Sequence, residues 1–455
     1  MEKKLVVIGG TAAGLSAASK AKRINSNIDI TVYEKSGYVS YGACGLPYFV
    51  GDVIKSPDDL ISLTVDDLNN KKNIRTYTHH EVTEIDREKK EVTVLDMKRG
   101  VFHKQTYDYL VMATGANPII PSIPGISSAG VHYLRTVEDG ISIKERVKSG
   151  LKRAIIIGGG FIGLEVAEEL RLSGIEVEIF EAMPRLLPSL NREYADEIKD
   201  VLKRNGIKVH LNSMISEVLV ENGRASGVMT VDGNSYDGDL VLVSIGVLPN
   251  SDLARDCGLE LGLKNGIVVD DAMQTSDPSI WACGDCVQMK NLLTGNPTYI
   301  PLGTTANKQG RITGGNIAGE PGIFKGVLGS QVTKVFDLYI ASTGLSLDQA
   351  KAEGFDAFAS SITKGDRASY YPGSTENKLT LIFDRDSGRL LGAQGIGGIS
   401  ISGRMNVLVA AISMGMTVME LNELDLVYSP SVAPVYDPIL IAASQTLKLV
   451  SKEAQ

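Results

Sequence analysis

The chain carries one local pattern twice, and that repeat constrains its fold more than any other feature. The first copy runs Leu5-Val6-Val7-Ile8-Gly9-Gly10-Thr11-Ala12-Ala13-Gly14, then an Ala/Ser/Lys stretch, then Ile28 to Glu34. The second, 149 positions on, runs Ala154-Ile155-Ile156-Ile157-Gly158-Gly159-Gly160-Phe161-Ile162-Gly163, then Leu164 to Leu172, then Val177 to Glu181. Each copy reads strand, glycine loop, helix, strand, acid. Continuous apolar runs ahead of both loops suit strands buried on two faces of a parallel sheet, so the expected class is α/β with two Rossmann-like, doubly wound units.

Phosphate binding explains this grammar. Glycines let the backbone turn tightly and approach a pyrophosphate, whose charge sits at the N-terminus of the following helix, and the terminal acid accepts hydrogen bonds from ribose hydroxyls. Glu34 lies 20 residues after Gly14 and Glu181 lies 18 after Gly163. Thr11 stands at the middle glycine position of the first loop, which sets a pyrophosphate slightly farther from that backbone; the second loop is complete. A carboxylate at Glu181 repels a 2′-phosphate, which favours NADH over NADPH.

Two further strands end in similar turns, Tyr109 to Gly115 and Leu240 to Gly246, and Ile280-Trp281-Ala282-Cys283-Gly284-Asp285 puts an acid just past a third. After about Lys325 the pattern changes: Val332 to Leu338 and Leu379 to Asp384 read as antiparallel strands, and 404–416 and 437–450 as helices, giving an α+β unit whose tail from Ser451 frays.

Composition excludes several classes. Of 455 residues, 46 are Lys or Arg and 54 Asp or Glu, a net charge of −8, which argues against nucleic acid as the main partner. Hydrophobic residues at 43% and charged ones at 22% describe an ordinary globular protein. No signal-peptide core and no run of about 18 apolar residues is present, so the cytoplasm is expected and a membrane span is not. Four cysteines, Cys44, Cys257, Cys283 and Cys286, are too few for a disulfide scaffold. The pair Cys283 and Cys286 has the spacing of a redox dithiol, yet it overlaps the Gly284-Asp285 turn; zinc is not expected, because no second ligand pair follows at suitable spacing.

Together, the two dinucleotide units, the Ala113-Thr114-Gly115 turn, the Gly284-Asp285 pair and the C-terminal α+β unit resemble the pyridine nucleotide-disulfide oxidoreductase family over essentially the whole chain. That resemblance implies a discontinuous FAD-binding domain (1–120 and 249–322), an NAD(H)-binding domain (121–248) and a dimerisation domain (323–455) that completes the active site of a homodimeric partner. FAD would contact Gly9, Gly10, Ala12, Ala13, Gly14, Glu34, Lys35, Ala113, Thr114, Gly115, Asp285 and the helix start Gly303-Thr304-Thr305-Ala306. NADH would contact Gly158, Gly160, Phe161, Ile162, Gly163, Glu165, Glu181 and Gly246, with Phe161 as an aromatic gate.

Within the family, Val39-Ser40-Tyr41-Gly42-Ala43-Cys44-Gly45-Leu46-Pro47-Tyr48 resembles the single-cysteine branch: coenzyme A disulfide reductases, persulfide reductases, NADH oxidases and NADH peroxidases. Val39 and Phe49 stand where a glutathione reductase would carry its second cysteine. Pro47 is tolerated in a first helical turn, so a helix starting around Cys44 is expected to lower the thiol pKa. Peroxidases and many oxidases of the family carry a histidine where this chain has Ala12, and His79, His80, His103, His132 and His210 read as surface or strand residues. Disulfide exchange needs no dedicated base. The resemblance therefore favours reduction of coenzyme A disulfide, coenzyme A persulfide or polysulfide, with coenzyme A implied as a mixed disulfide on Cys44.

Tyr371 and Tyr428 resemble tyrosines that reach the partner subunit's cysteine, and a phenol can assist a leaving sulfur. Tyr370 and Tyr436 are further candidates, with ordinary interface packing the alternative for each. Ala43 and Ser431 replace a frequent asparagine and proline. Lys20, Lys22, Arg23, Lys71, Lys72 and Arg75 supply positive charge for coenzyme A phosphates, beside Ser40 and Tyr370, although surface solvation explains each lysine or arginine equally well. Two rivals stay open: an NADH oxidase or peroxidase cycling Cys44 through sulfenic acid, and a non-enzymatic redox-sensing flavoprotein.

Overall fold

A computed structural model describes residues 2–451, and the repeat is visible in it at the level of strand order. The first sheet runs Ile280–Ala282, Tyr109–Met112, Lys4–Ile8 (β1), Asp29–Tyr33 (β2), Arg75–Tyr77, and every neighbouring pair is parallel. The second runs Val131–His132, Leu240–Val243, Arg153–Ile157, Glu176–Phe180, Lys208–His210, again all parallel. Four strands match in position and chain order across the two sheets; the fifth takes the same edge in both but comes last in the first unit and first in the second. Each also carries an antiparallel three-stranded sheet, spanning His80 to Thr106 in the first and Ile215 to Asp237 in the second.

The glycine spacing has a steric cause. Helix α1 (Ala12–Ile24) leaves β1 so tightly that a Cβ on Gly14 would lie 2.0 Å from the Gly9 carbonyl oxygen. In the second unit a Cβ on Gly163 would lie 2.2 Å from the Gly158 oxygen. Gly9 and Gly158 hold φ of +111° and +108°, open to glycine and strained for other residues. The helix Gly303–Ala318 packs on α1 through the same device: Cβ atoms on Gly310 and Gly314 would meet the carbonyl oxygens of Ala13 and Ala17 at 2.2 and 2.1 Å.

The third unit is a five-stranded antiparallel sheet, Gln331–Val335, Leu338–Gly344, Leu390–Gly397, Glu376–Asp384, Ala357–Gly365, backed by the helices Ser400–Ser413 and Pro438–Ser451. The segment expected as one strand from Val332 to Leu338 is instead two, because Phe336 adopts φ +53° and turns the chain into a hairpin. Ser451, where fraying is expected to begin, ends the helix Pro438–Ser451, and the rest of that tail, residues 452–455, lies outside the described residues. Among those described, no helix is long and apolar enough to cross a membrane.

Between the units runs one segment that belongs by packing to a different core from its chain neighbours. A short helix, α2 (Leu46–Val50), buries Leu46, Phe49 and Val50 with Leu134, Val137, Ile143 and Leu164 of the second unit. It lies against α3 (Val137–Lys148) and α4 (Phe161–Leu172): a Cβ on Gly140 would sit 3.2 Å from both Leu46 and Phe49, and one on Gly51 would collide with Glu169.

Replacing Gly310 by Ala forces a methyl group onto the Ala13 carbonyl in the α1 contact. Overpacking of this kind costs about 1–3 kcal/mol. Urea unfolding of Gly310→Ala should show an unfolding free energy lower by that amount, read as a lower midpoint at an unchanged slope; wild-type stability would mean the two helices separate easily.

Candidate active site

Both glycine loops are closed by their acids in the same way. Gly10 and Ser36 donate backbone N–H groups to Glu34 at 2.7 and 2.8 Å; Gly159 and Met183 do the same for Glu181, both at 2.8 Å. Neither α1 nor α4 begins with a capping side chain or an acid in its first turn. The same holds for the helix starting at Gly303. By contrast α3 and the helices after Ser346 and Thr417 carry complete capping boxes. Uncapped N-termini behind glycine loops leave backbone donors and positive dipole ends for an anion.

The seam between these elements is polar and partly unsatisfied. Gln309, fully buried, accepts from the Gly284 N–H at 2.8 Å and leaves its Nε2 without a partner. The Thr114 hydroxyl donates to the Asn250 carbonyl at 2.5 Å, and Asn250 N–H returns a bond to Gly115, which holds φ +73°. Gly246, φ +111°, ends the matching turn of the second unit. Ala12 is half-buried against the α1 core, Ala13, Ala113, Thr305 and Ala306 are buried, and Lys35, Gly303 and Thr304 are exposed. Asp285 points at Arg135, which donates to it at 2.6 Å, and Tyr299 donates to the Asp285 carbonyl at 2.8 Å. These residues fit a dinucleotide in each unit: a glycine cradle a side chain would fill, an uncapped helix and an acid just past the second strand, with, in the first unit, a buried donor awaiting an acceptor.

Cys44 sits in the turn Ala43–Gly45 directly before α2 and is exposed. Backbone bonds fasten this segment to the first loop, where Ser40 N–H donates to Gly10, and to the turn Pro57–Leu60, where Gly42 N–H donates to Leu60, both at 2.9 Å, with Ser40 at φ +52°. The expected lowering of the thiol pKa is not found; it is raised, by desolvation first and by the Glu165 carboxylate next, with Arg135 opposing and Asp285 adding. Five residues of α2 give only a weak dipole, and two carboxylates outweigh one guanidinium.

Glu165 itself comes from α4 and accepts the Thr333 hydroxyl at 2.7 Å; burial pushes its carboxyl above the ordinary range. One turn on, Glu168 is held by Lys334 and the Phe336 N–H. All three units therefore meet at α4. Phe161 is half-buried at its start and Ile162 is exposed.

The other thiols are placed differently. Cys283 and Cys286 are fully buried, with burial pushing both thiols up, and the Cys286 Sγ donates to the Cys283 and Met112 carbonyls. Such thiols pack; they do not exchange. Cys257 is half-buried.

Of the basic residues, Lys20 pairs with Glu320, Lys22 donates to the Ser26 and Ile28 carbonyls, Lys71 pairs with Asp67 and Arg75 with Asp29. Arg23, late on α1, and Lys72 complete that set. Tyr370 and Tyr428 meet, the hydrogen bond between them raising the Tyr428 phenol, and both lie on an exposed face with Tyr371 and Tyr436. The groups acting on the Cys44 thiol within the chain are Glu165, Arg135 and Asp285, with no tyrosine of this face among them.

Arg135, Thr333, Lys334 and Tyr299 had no sequence signal. They lie in no motif, and tertiary folding alone brings them to the site.

A chain with two nucleotide units of matching topology, joined to a third unit and sharing a cysteine between them, is of the flavin- and nicotinamide-nucleotide oxidoreductase class. The family model described as pyridine nucleotide-disulphide oxidoreductase matches residues 3–310, and that family's dimerisation domain matches 330–437. The chain belongs to this family. A protein of Methanocaldococcus jannaschii named NADH oxidase is 37% identical, covering 99% of this chain and 100% of its own. The NAD(P)H coenzyme A polysulfide/persulfide reductase of Pyrococcus horikoshii is 35% identical over 97% and 98%. The solved NAD-dependent persulfide reductase from A. fulgidus is 40% identical with a TM-score of 0.95, over 98% of this chain and 83% of that one.

Glu165→Gln removes the carboxylate that ranks next after burial in opposing the thiolate. The midpoint of Cys44 alkylation by iodoacetamide against pH should fall, and the rate at pH 7 should rise about two- to fivefold in the reduced protein. An unmoved midpoint would show that burial alone sets it.

Proposed function

We propose that the chain is an FAD-dependent NADH:disulfide oxidoreductase that reduces coenzyme A disulfide, coenzyme A persulfide or polysulfide through Cys44, working as a homodimer. The observation that carries this reading is the placement of Cys44: the one exposed cysteine among the described residues, on a turn bonded to the Gly10 loop, within electrostatic reach of Glu165 and Asp285. The family implies FAD and NAD(P)H, and relatives named for sulfur reduction span nearly the whole chain.

FAD bound at the first unit would supply passage of an electron pair from the nicotinamide to sulfur. The chain's residues do the rest. Cys44 Sγ attacks one sulfur of the substrate disulfide, forming a mixed disulfide, and the other sulfur leaves as a thiolate that takes a proton. Two electrons from NADH then cleave the mixed disulfide, so that RSSR, NADH and H⁺ become two RSH and NAD⁺. Glu181, already fixed by two backbone N–H groups, is oriented to accept from a ribose 2′-hydroxyl. Tyr371 and Tyr428 would assist the leaving sulfur only from the partner subunit, and their exposed face, with Val427, Val432 and Val435, has the apolar character of an interface. A resting Cys44 to coenzyme A disulfide fits the same site.

The NADH oxidase name of the M. jannaschii relative supports a second reading, in which oxygen is the acceptor and Cys44 passes through sulfenic acid. Ala12 offers no acid or base for it. NADH oxidation measured with coenzyme A disulfide, polysulfide, peroxide and oxygen in wild type and Cys44→Ser separates the two: sulfur-dependent turnover lost in the mutant is expected, whereas stoichiometric oxygen consumption would give the second reading precedence. Activity with none of these acceptors would favour a redox sensor.

Glu181→Ala removes the charge facing a 2′-phosphate. The NADH to NADPH ratio of kcat/KM should fall about tenfold or more, the worth of one charge-assisted hydrogen bond. An unchanged ratio would place selectivity elsewhere.

A further inference from the structure

Helix α3 touches the first unit and its cysteine segment at three points. Arg135, just before it, bonds Asp285; Glu138 in its first turn accepts from the Gly37 N–H at 3.0 Å; Lys144 in its last turns reaches the loop after α2. The third contact is the most enclosed. The Lys144 side chain is 5% exposed, rare for a lysine, and its ammonium donates to the Ile54 and Lys55 carbonyls at 3.0 and 3.1 Å and to Asp52 Oδ1 at 2.9 Å. All three ammonium protons are thus used. The same nitrogen lies 4.1 Å from the centroid of the Phe49 ring, a cation–π contact with α2 itself.

The acceptors form a compact turn that is part of the α2 terminus. Val53 and Ile54 N–H groups both donate to the Tyr48 carbonyl, and Gly51 N–H to Pro47, with Asp52 at φ +64°. No side chain caps the other end, where Cys44 stands. The helix is about 7.5 Å long at 1.5 Å per residue, so whatever fixes its C-terminal end fixes the sulfur's position.

We propose that Lys144 is a positioning residue for Cys44: from the second unit it locks the loop 52–55 and the Phe49 ring, and thereby holds the thiol-bearing turn in the attitude that sulfur exchange requires. The role rests on the reading of Cys44 as the redox thiol. Lys144 neither touches substrate nor moves a proton; it acts through α2.

The test uses the FAD-loaded dimer carrying Lys144→Met, which keeps the stem packing and deletes the three donated bonds. NADH oxidation with coenzyme A disulfide should fall about tenfold or more in kcat, since a displacement near 1 Å at a reacting atom costs up to about a hundredfold. NADH oxidation with ferricyanide, which takes electrons without needing the thiol, should stay within about twofold, and iodoacetamide should alkylate Cys44 at least about threefold faster as the turn loosens. Equal loss with both acceptors, or full disulfide turnover with unchanged alkylation, overturns the proposal. Should Lys144→Met not fold, Asp52→Asn removes one acceptor charge from a half-exposed position and should show the same split at about two- to threefold; a wild-type profile there overturns it as well. Cys44→Ser in parallel keeps the failures apart: disulfide turnover surviving in that mutant sinks the assigned function, while the alkylation rate of Lys144→Met still judges the clamp.

Discussion

In each nucleotide unit the last glycine of the loop passes so near the carbonyl of the first that a Cβ there would strike it, at 2.0 Å in the first unit and 2.2 Å in the second. With Gly14 almost touching the Gly9 oxygen, α1 can leave β1 only at one angle, and the loop between them turns its backbone outward. The remaining contacts hang on that geometry. Gly10 presents its N–H to Glu34 and its carbonyl to Ser40, so the same residue anchors both the ribose acid and the cysteine segment. A Cβ at Gly10 would press on Val39 and Glu34 at 2.8 and 3.0 Å, which shows how little room separates the loop from the segment leading to Cys44. One crowded turn thus couples the fold to the site.

The cysteine segment is shared between units. It is bonded to the first through Ser40 and buried in the second through Leu46, Phe49 and Val50. The third unit enters through Thr333 and Lys334 on α4. A sulfur placed this way keeps its register with both nucleotide units only while they stay docked, and the docking uses apolar burial in the middle with charged contacts, Lys144 and Arg135, at either side. Burying an ammonium is unfavourable unless each proton is bonded, which is why Lys144 finds three oxygens and a ring face.

Much of this was legible in the residues. The repeat foretold two parallel sheets, and the equivalence extends to the N–H groups that hold Glu34 and Glu181, because a glycine spacing fixed by steric contact leaves few other solutions. The C-terminal α+β unit was visible from its change of pattern. What escaped is what depends on residues distant in the chain. Arg135 stands 150 positions from Asp285 and Thr333 stands 168 from Glu165, and neither spacing carries a periodic signal. The hairpin at Phe336 escaped because an aromatic residue at positive φ lacks the glycine or asparagine that normally announces such a turn. The thiol pKa goes the other way from the sequence expectation for the same reason: the local helix suggests a fall, whereas burial by residues distant in the chain, reinforced by the Glu165 carboxylate, produces a rise.

That reversal bears on how readily the sulfur ionises and reacts. A thiolate at Cys44 is opposed first by burial and then by Glu165 and Asp285, and is helped by Arg135, whose guanidinium is already engaged by Asp285, and by a backbone hydrogen bond. A mixed disulfide at the same sulfur carries no charge and feels none of that repulsion. With its pKa raised, the reduced sulfur at neutral pH is the protonated thiol, so this repulsion limits the supply of nucleophilic thiolate and leaves the neutral forms, thiol and mixed disulfide, undisturbed. Disulfide exchange and sulfenic acid formation both begin from the thiolate, so the same carboxylates slow both starts and do not choose between them. The position that does choose is Ala12, which offers no acid or base to peroxide, while exchange needs none because its leaving group is itself a thiolate; that favours a sulfur compound as acceptor.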